Sequence, residues 1–225
     1  MRTVLVHGFT QTATSWRPVI EQISPELEPV AVDVPDDLDF VATAHALGDA
    51  GRGTYVGYSM GGRLCLRLAL DRPDLVNRLV LVSASPGIAE PTERAARRDA
   101  DDALARDVER DGVDVFLERW LAQPLFTSLP RERAGIDDRR RANTVARLAH
   151  QLRALGQGAQ EPLWDRLGEL RVPVRIIVGG EDRKYCAIGA AMSRAIPDAV
   201  LVTIDRAGHA VHLEHPSSVA HALTP

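Results

Sequence analysis

The sequence predicts an α/β fold: about six mostly parallel strands with flanking helices and a helical cap insertion. Three observations carry that expectation. Short apolar runs rich in Val, Leu and Ile recur without polar alternation, as strands buried on both faces of a parallel sheet require. Stretches of helical period separate them, giving the βαβα order of right-handed crossovers. One connection, from Ser83 to Pro173, carries no strand signal at all.

The elements follow in order. Thr3–His7 reads as the first strand, and Ser15–Ile23 as a helix with Ser15 as its N-cap. Strand Pro29–Val34, helix Asp36–Asp49, strand Thr54–Tyr58, helix Met60–Leu70 and strand Arg78–Ser83 come next. In the long connection the pattern gives helices at Thr92–Arg110, stopped by Asp111-Gly112, and at Val113–Leu121. Two more follow, at Arg131–Ala142 and at Asn143–Leu155, stopped by Gly156. Val113, Phe116, Leu117, Trp120 and Leu121 recur at i, i+3, i+4, i+7 and i+8, one buried stripe. Strand Pro173–Gly179, helix Cys186–Ile196, strand Ala199–Asp205 and helix Ser217–Leu223 complete the chain. A connection of this length inside a compact domain serves as a lid or binding element. The expectation is one domain over 1–225, with a cap at about 86–162 lying over the carboxyl edge of the sheet.

Bulk properties narrow the function. At 225 residues and 45% hydrophobic content, the chain buries a full core. A formal net charge of −4 favours neither nucleic acid nor an anionic membrane surface. No apolar run approaches a membrane span, and Met1 leads almost at once into strand-like Thr3–Val6, without room for a signal peptide. A soluble cytoplasmic protein is expected, a monomer or weak homo-oligomer. Cys65 and Cys186 stand in separate helical segments, which argues against a disulfide framework or a thiolate metal site. Of 27 basic residues only Lys184 is lysine.

The chemistry centres on Gly57-Tyr58-Ser59-Met60-Gly61-Gly62, placed where a strand gives way to a helix. A serine on such a turn has an exposed hydroxyl, with neighbouring N–H groups aimed at a substrate oxygen. Serine alone is a poor nucleophile or base; it needs an imidazole to take its proton and a carboxylate to orient the imidazole. Asp182, in Val-Gly-Gly-Glu-Asp, and His209, in Ala-Gly-His, both follow strands and so share an edge with Ser59. Glu181 is the alternative acid. Oxyanion donors are expected from the backbone N–H of Met60 and, in the loop His7-Gly8-Phe9, from Phe9. His7 itself reads as a structural residue of that loop. These four elements, in this order at strand ends, match the α/β-hydrolase fold with an intact triad. His209, His212 and His215 recur every three residues, but no carboxylate cluster accompanies them, so no metal is expected.

The cap carries thirteen arginines from Arg94 to Arg153 against thirteen acidic residues from Glu90 to Asp138, so bulk charge does not mark an anion site there. Particular stretches do more: Gly-Tyr58-Ser59-Met-Gly-Gly-Arg63, Ser-Ala-Ser-Pro86-Gly87-Ile, Glu93-Arg94-Ala-Ala-Arg97-Arg98, Trp120-Leu-Ala-Gln123-Pro124-Leu-Phe126-Thr-Ser128-Leu and Arg141-Ala-Asn143. Over nearly its whole length the chain resembles the 2-succinyl-6-hydroxy-2,4-cyclohexadiene-1-carboxylate synthases of menaquinone biosynthesis. The resemblance implies a Ser59, Asp182 and His209 triad and a substrate site lined by Tyr58, Arg63, Arg97, Trp120 and Arg141, with Phe126 packing nearby. Arg98, Arg139 and Arg140 stand ready in place of Arg97 and Arg141 if a helix is turned.

It also implies a lyase acting on a small-molecule polycarboxylate. The expected substrate, 2-succinyl-5-enolpyruvyl-6-hydroxy-3-cyclohexene-1-carboxylate, bears three carboxylates, which planar guanidinium groups bind bidentately. Ser59 then serves as the base of a pyruvate elimination, with no metal or organic cofactor. The alternative is a carboxylesterase or C–C bond hydrolase using Ser59 as a covalent nucleophile. Two departures stand out: a short acidic loop, Asp33-Val-Pro35-Asp-Asp, after the second strand, and no β-hairpin before the His-Gly-Phe strand.

Overall fold

The computed structural model describes residues 2–224. Six strands form one sheet: β1 (Thr3–Val6), β2 (Pro29–Val32), β3 (Gly53–Tyr58), β4 (Val76–Val82), β5 (Val174–Gly179) and β6 (Ala199–Ile204). Their order is β2-β1-β3-β4-β5-β6 and every pairing is parallel. All carboxyl ends therefore lie on one edge. Strand order reverses at β1, which pairs β2 on one side and β3 on the other. The loops after β1 and β3 part at that reversal and leave a crevice, where ligands bind in open α/β sheets.

The helices are α1 (Arg17–Ile20), α2 (Phe40–Ala46), α3 (Met60–Asp71), α4 (Pro91–Leu121, broken at Gly112), α5 (Ile136–Ala142), α6 (Val145–Leu155), α7 (Arg183–Ala195), α8 (Val211–Glu214) and α9 (Pro216–Leu223). Strand side chains alternate between two cores. Val4, Val6, Leu79, Leu81, Ile176 and Val178 meet α2, α3 and α7 on one face. Leu5, Val56, Val80, Val82 and Ile177 meet α1, α8 and α9 on the other. Covered on both faces, the strands need no polar alternation, which is why they read as continuous apolar runs.

Several helix starts differ from the sequence expectation, the following for local reasons. Ser15 does not cap a helix: it lies in a 3-10 turn, Ala13–Trp16, and α1 begins at Arg17. Pro18 stands where a Ser15 cap would find its amide donor. Helix α2 begins at Phe40 because the Asp39 carboxylate accepts from Ala42 N–H at 2.8 Å, while Asp37 takes positive φ. Helix α7 begins at Arg183 because the Asp182 carboxylate accepts from Tyr185 N–H. The expected Arg131–Ala142 helix splits at Gly135, φ 63°, into a 3-10 turn, Arg131–Arg133, and α5.

Between β4 and β5 the cap helices build a third apolar cluster from Ala105, Val108, Phe116, Leu148, Ala149 and Leu152. Phe9, from the loop after β1, and Trp120 pack against it. The cap is thus seated on the reversal crevice through an aromatic contact. No helix among the described residues is long and apolar enough to cross a membrane.

Candidate active site

Ser59 joins β3 to α3 with φ 49° and ψ −108°, a conformation L-residues seldom adopt. Close packing fixes the flanking glycines. A Cβ on Gly57 would collide with the backbone of Gly61, and one on Gly61 with the carbonyl oxygens of Val6 and His7. The elbow is pressed against β1, so the Ser59 hydroxyl stands in the crevice. Met60, the first residue of α3, has an N–H with no acceptor inside the helix.

Two further strand ends converge on that hydroxyl. His209, after β6, places Nε2 3.1 Å from Ser59 Oγ, and its Nδ1 lies 2.7 Å from Asp182 Oδ2, after β5. With Nδ1–H donating to the carboxylate, Nε2 is left to accept the serine proton. Asp182 and His209 are buried. Glu181, the alternative acid, is exposed. Rings of Tyr185 and Tyr58 lie 4.5 and 5.5 Å from the His209 ring. The buried Glu214 carboxylate accepts from Gly208 N–H at 2.7 Å and from Ala210 N–H at 3.0 Å, bracketing His209. Sequence reasoning gave Glu214 no role, although it closes the stretch Gly208-His-Ala-Val-His-Leu-Glu214 that holds His209.

His7 braces the loop after β1. Its Nδ1–H donates to Gly8 O at 2.8 Å, which leaves Nε2 to accept from Val34 N–H at 3.0 Å. Burial pushes its pKa down to about 4, so the ring is neutral in this role. The acidic loop is occupied elsewhere: Asp33 accepts from Ala13 N–H, and Asp36 lies 3.3 Å from Arg147 of α6. His209, His212 and His215 do not converge. His212 is buried between Trp16 and Tyr58, and His215 meets the carbonyl of Arg206.

A cavity of about 310 Å³ opens over the triad, lined among others by Phe9, Ser59, Met60, Arg63, Arg97, Trp120, Lys184 and His209. Arg63 is buried; it donates to Gln160 Oε1 at 3.0 Å and to Leu155 O at 2.7 Å, both neutral acceptors. Burial lowers its pKa to about 10, which still leaves a cation at neutral pH. Arg97 pairs with buried Asp101 at 2.7 Å, and Asp101 also accepts from Gly158 N–H, tying α4 to the turn after α6. Lys184, the second residue of α7, has its Nζ 6.0 Å from the Tyr185 ring centroid and no ion pair among the described residues. The Trp120 ring meets Phe9 edge-on at 4.9 Å.

Three residues carried by the resemblance lie off the cavity wall. Tyr58 packs behind the triad, 4.1 Å from the His212 ring, because it ends β3 with its side chain on the α1–α9 face. Phe126 is buried against Trp120 and His209, at 6.0 and 6.2 Å between ring centroids. Arg141 is turned outward, its side chain 71% exposed and paired with Asp138. Each helical residue advances about 100°, so with Arg139 facing inward Arg141 points away. Conversely, Lys184, Gln151 and Gln157 line the cavity without any sequence signal having marked them, and Gln123, quoted within the Trp120–Phe126 stretch but given no role, lines it too.

Residues 3–222 match the model of the alpha/beta hydrolase family. A Citrobacter koseri protein named 2-succinyl-6-hydroxy-2,4-cyclohexadiene-1-carboxylate synthase is 31% identical, across 98% of this chain and 91% of its own length. The chain belongs to the α/β-hydrolase family, in its 2-succinyl-6-hydroxy-2,4-cyclohexadiene-1-carboxylate synthase branch. A Bacillus subtilis (strain 168) protein bearing this synthase name provisionally is 33% identical over 95% of the chain and 85% of its own length. Among solved structures, MenH from S. aureus superposes with a TM-score of 0.90 at 29% identity, covering 99% of this chain and 91% of that one. A thermophilic esterase from Thermogutta terrifontis follows the same fold with a TM-score of 0.72 at 25% identity, covering 99% and 88%. The fold is thus shared with hydrolases, and over the same span of the chain the synthase is the more similar in shape of the two.

Proposed function

We propose that this chain converts 2-succinyl-5-enolpyruvyl-6-hydroxy-3-cyclohexene-1-carboxylate to 2-succinyl-6-hydroxy-2,4-cyclohexadiene-1-carboxylate and pyruvate. The observation that carries the reading is the charge of the crevice: Arg63, a buried cation whose hydrogen bonds among the described residues all go to neutral acceptors, stands beside Arg97 and Lys184 over the triad. A buried guanidinium held without an anion is costly, and a polycarboxylate substrate supplies what is missing. Arg97 pairs with Asp101, a carboxylate that also acts on Arg63 from beyond ion-pair distance. Membership of the synthase branch supports the same substrate.

The step balances without water. His209 Nε2 draws the proton from Ser59, oriented by Asp182, and the Ser59 oxygen removes the ring proton α to the succinyl ketone. The C–H electron pair moves into an enolate, whose oxygen the Phe9 and Met60 amides stabilise. Collapse through the ring double bond breaks the carbon–oxygen bond to the enolpyruvyl group. That group leaves with the electron pair on oxygen and becomes pyruvate on protonation.

The test offers purified protein this substrate and follows pyruvate release, with p-nitrophenyl acetate in parallel. Pyruvate release is expected, falling by about 10³-fold or more in Ser59→Ala and in His209→Ala. Rapid ester turnover with no pyruvate would sink the lyase assignment.

A further inference from the structure

A second cavity, of about 440 Å³, opens on the far side of the oxyanion loop, between the segments Thr12–Pro18 and Glu132–Arg139 and the start of α9. Arg139 forms part of its wall. The residue is 4% exposed; Nε donates to Ala134 O at 2.8 Å and Nη1 donates to the Thr10 hydroxyl. Both partners are neutral. Its Nη2 makes no hydrogen bond among the described residues, and no carboxylate lies within ion-pair distance of it there. Burial lowers the pKa to about 10, so the group stays charged at neutral pH.

Neighbouring charges do not supply the missing anion. Asp138 is taken by Arg141, and Glu132 is exposed. Arg17 and Arg133 bring two more cations to the same walls, Arg133 donating to the carbonyl of Glu214 at 2.7 Å. The Ser15 hydroxyl, buried and without a partner among the described residues, belongs to the same lining. Leu213, Pro18 and Pro216 make the remaining wall apolar. An unpaired buried cation is costly unless something neutralises it.

We infer that this cavity is a second ligand site, which takes a small organic carboxylate. The Arg139 guanidinium holds the carboxylate, with Ser15 as a further donor, and the ligand's short carbon chain lies on the proline and leucine wall. The apolar wall is what favours an organic acid over inorganic phosphate. Gln11, which lines the cavity, accepts from Gly8 N–H through its side chain, so the site backs directly onto the loop that carries Phe9.

Calorimetric titration of the whole protein with succinate tests this, with inorganic phosphate as the comparison anion. Arg139→Gln and Thr14→Trp, the latter an exposed rim position that blocks entry and leaves Arg139 intact, are each expected to weaken one succinate-binding event by about tenfold or more. Arg97→Ala, in the other cavity, is expected to retain that event. If Arg139→Gln does not fold, Thr14→Trp reads the site alone. Succinate uptake that is absent in the wild type, or unchanged in Thr14→Trp, overturns the proposal; phosphate binding as tight as succinate overturns the carboxylate assignment.

Discussion

Lys184 is the exposed member of the cation set above the triad. The proposed trianionic substrate would meet two cations in Arg63 and Arg97, and Lys184 is the third on the cavity wall. Being exposed, it contributes less than a buried guanidinium, on the order of 1–1.5 kcal/mol of substrate binding. Lys184→Ala is therefore expected to raise KM about tenfold while kcat stays within about threefold. Arg106→Ala, which removes a surface partner of Asp102, serves as the control and is expected to change neither. An unaltered KM in Lys184→Ala removes that residue from substrate recognition. The triad was legible in the sequence for a reason that Lys184 and Arg141 lacked. Ser59, Asp182 and His209 each follow an apolar run, and the end of a strand fixes a side chain's place whatever the neighbouring helices do. Arg141 depends instead on the rotational phase of a seven-residue helix whose start is set by Gly135. Lys184 became placeable only once Asp182 was known to cap α7, putting the lysine in the first turn of a helix at the catalytic edge.

At the scale of elements, the cap depends on one break. Gly112 has φ 80° and ψ 172°, a region open in practice to glycine alone, and it lets the two halves of α4 diverge. The second half then turns Phe116 and Trp120 toward Phe9 and α6. A Cβ at Gly112 meets nothing within 4 Å, so the cost of Gly112→Ala lies in the backbone alone. Strain of about 1–3 kcal/mol outweighs the roughly 0.4–1 kcal/mol gained from a stiffer unfolded chain. A net loss of about 1–2 kcal/mol is expected, read as a lower urea midpoint; an unchanged midpoint counts against the break as a requirement. This stop was legible, because Asp-Gly is a turn signal set just before the apolar stripe that begins at Val113. The 3-10 turns at Ala13–Trp16 and Arg131–Arg133 were not, since no periodicity marks a single tight turn and both depend on what the following residues bury.

Across the whole molecule, the parallel sheet followed from strands without polar alternation, whereas its order could not: the reversal at β1 is a long-range pairing that local sequence does not encode. That reversal also sets a pH dependence. The loop after β1 is held to the segment after β2 by a neutral, fully buried His7, and His212 is buried under the same edge. Burial depresses both, His7 to about 4 and His212 well below its ordinary value of 6.5. For His7, Asp33 and the carbonyl of Gly8 pull the pKa back up, while Arg147 and Arg139 push it further down. In the unfolded chain both histidines titrate near 6.5. Between pH 6.5 and about 4 the unfolded state therefore binds protons that the native state refuses, and stability falls as pH falls. The contribution is fully present above 6.5, and its loss on acidification amounts to as much as about 3 kcal/mol for His7 alone. Asp71 acts in a lower window. Burial would raise it, but hydrogen bonds from Arg166, Arg67 and His45 hold it at about 2, so its share is lost only below 3.8. Urea unfolding at pH 7.5, 6.0, 5.0 and 4.5 stays above the Asp71 window and so reads the histidines. A midpoint that declines steadily from pH 6.5 downward, before carboxylates of ordinary pKa titrate, is the expected signature of the buried histidines. A flat profile from 7.5 to 4.5 means that the native state takes up those protons after all, and that His7 is not the neutral brace between the two strand-end loops.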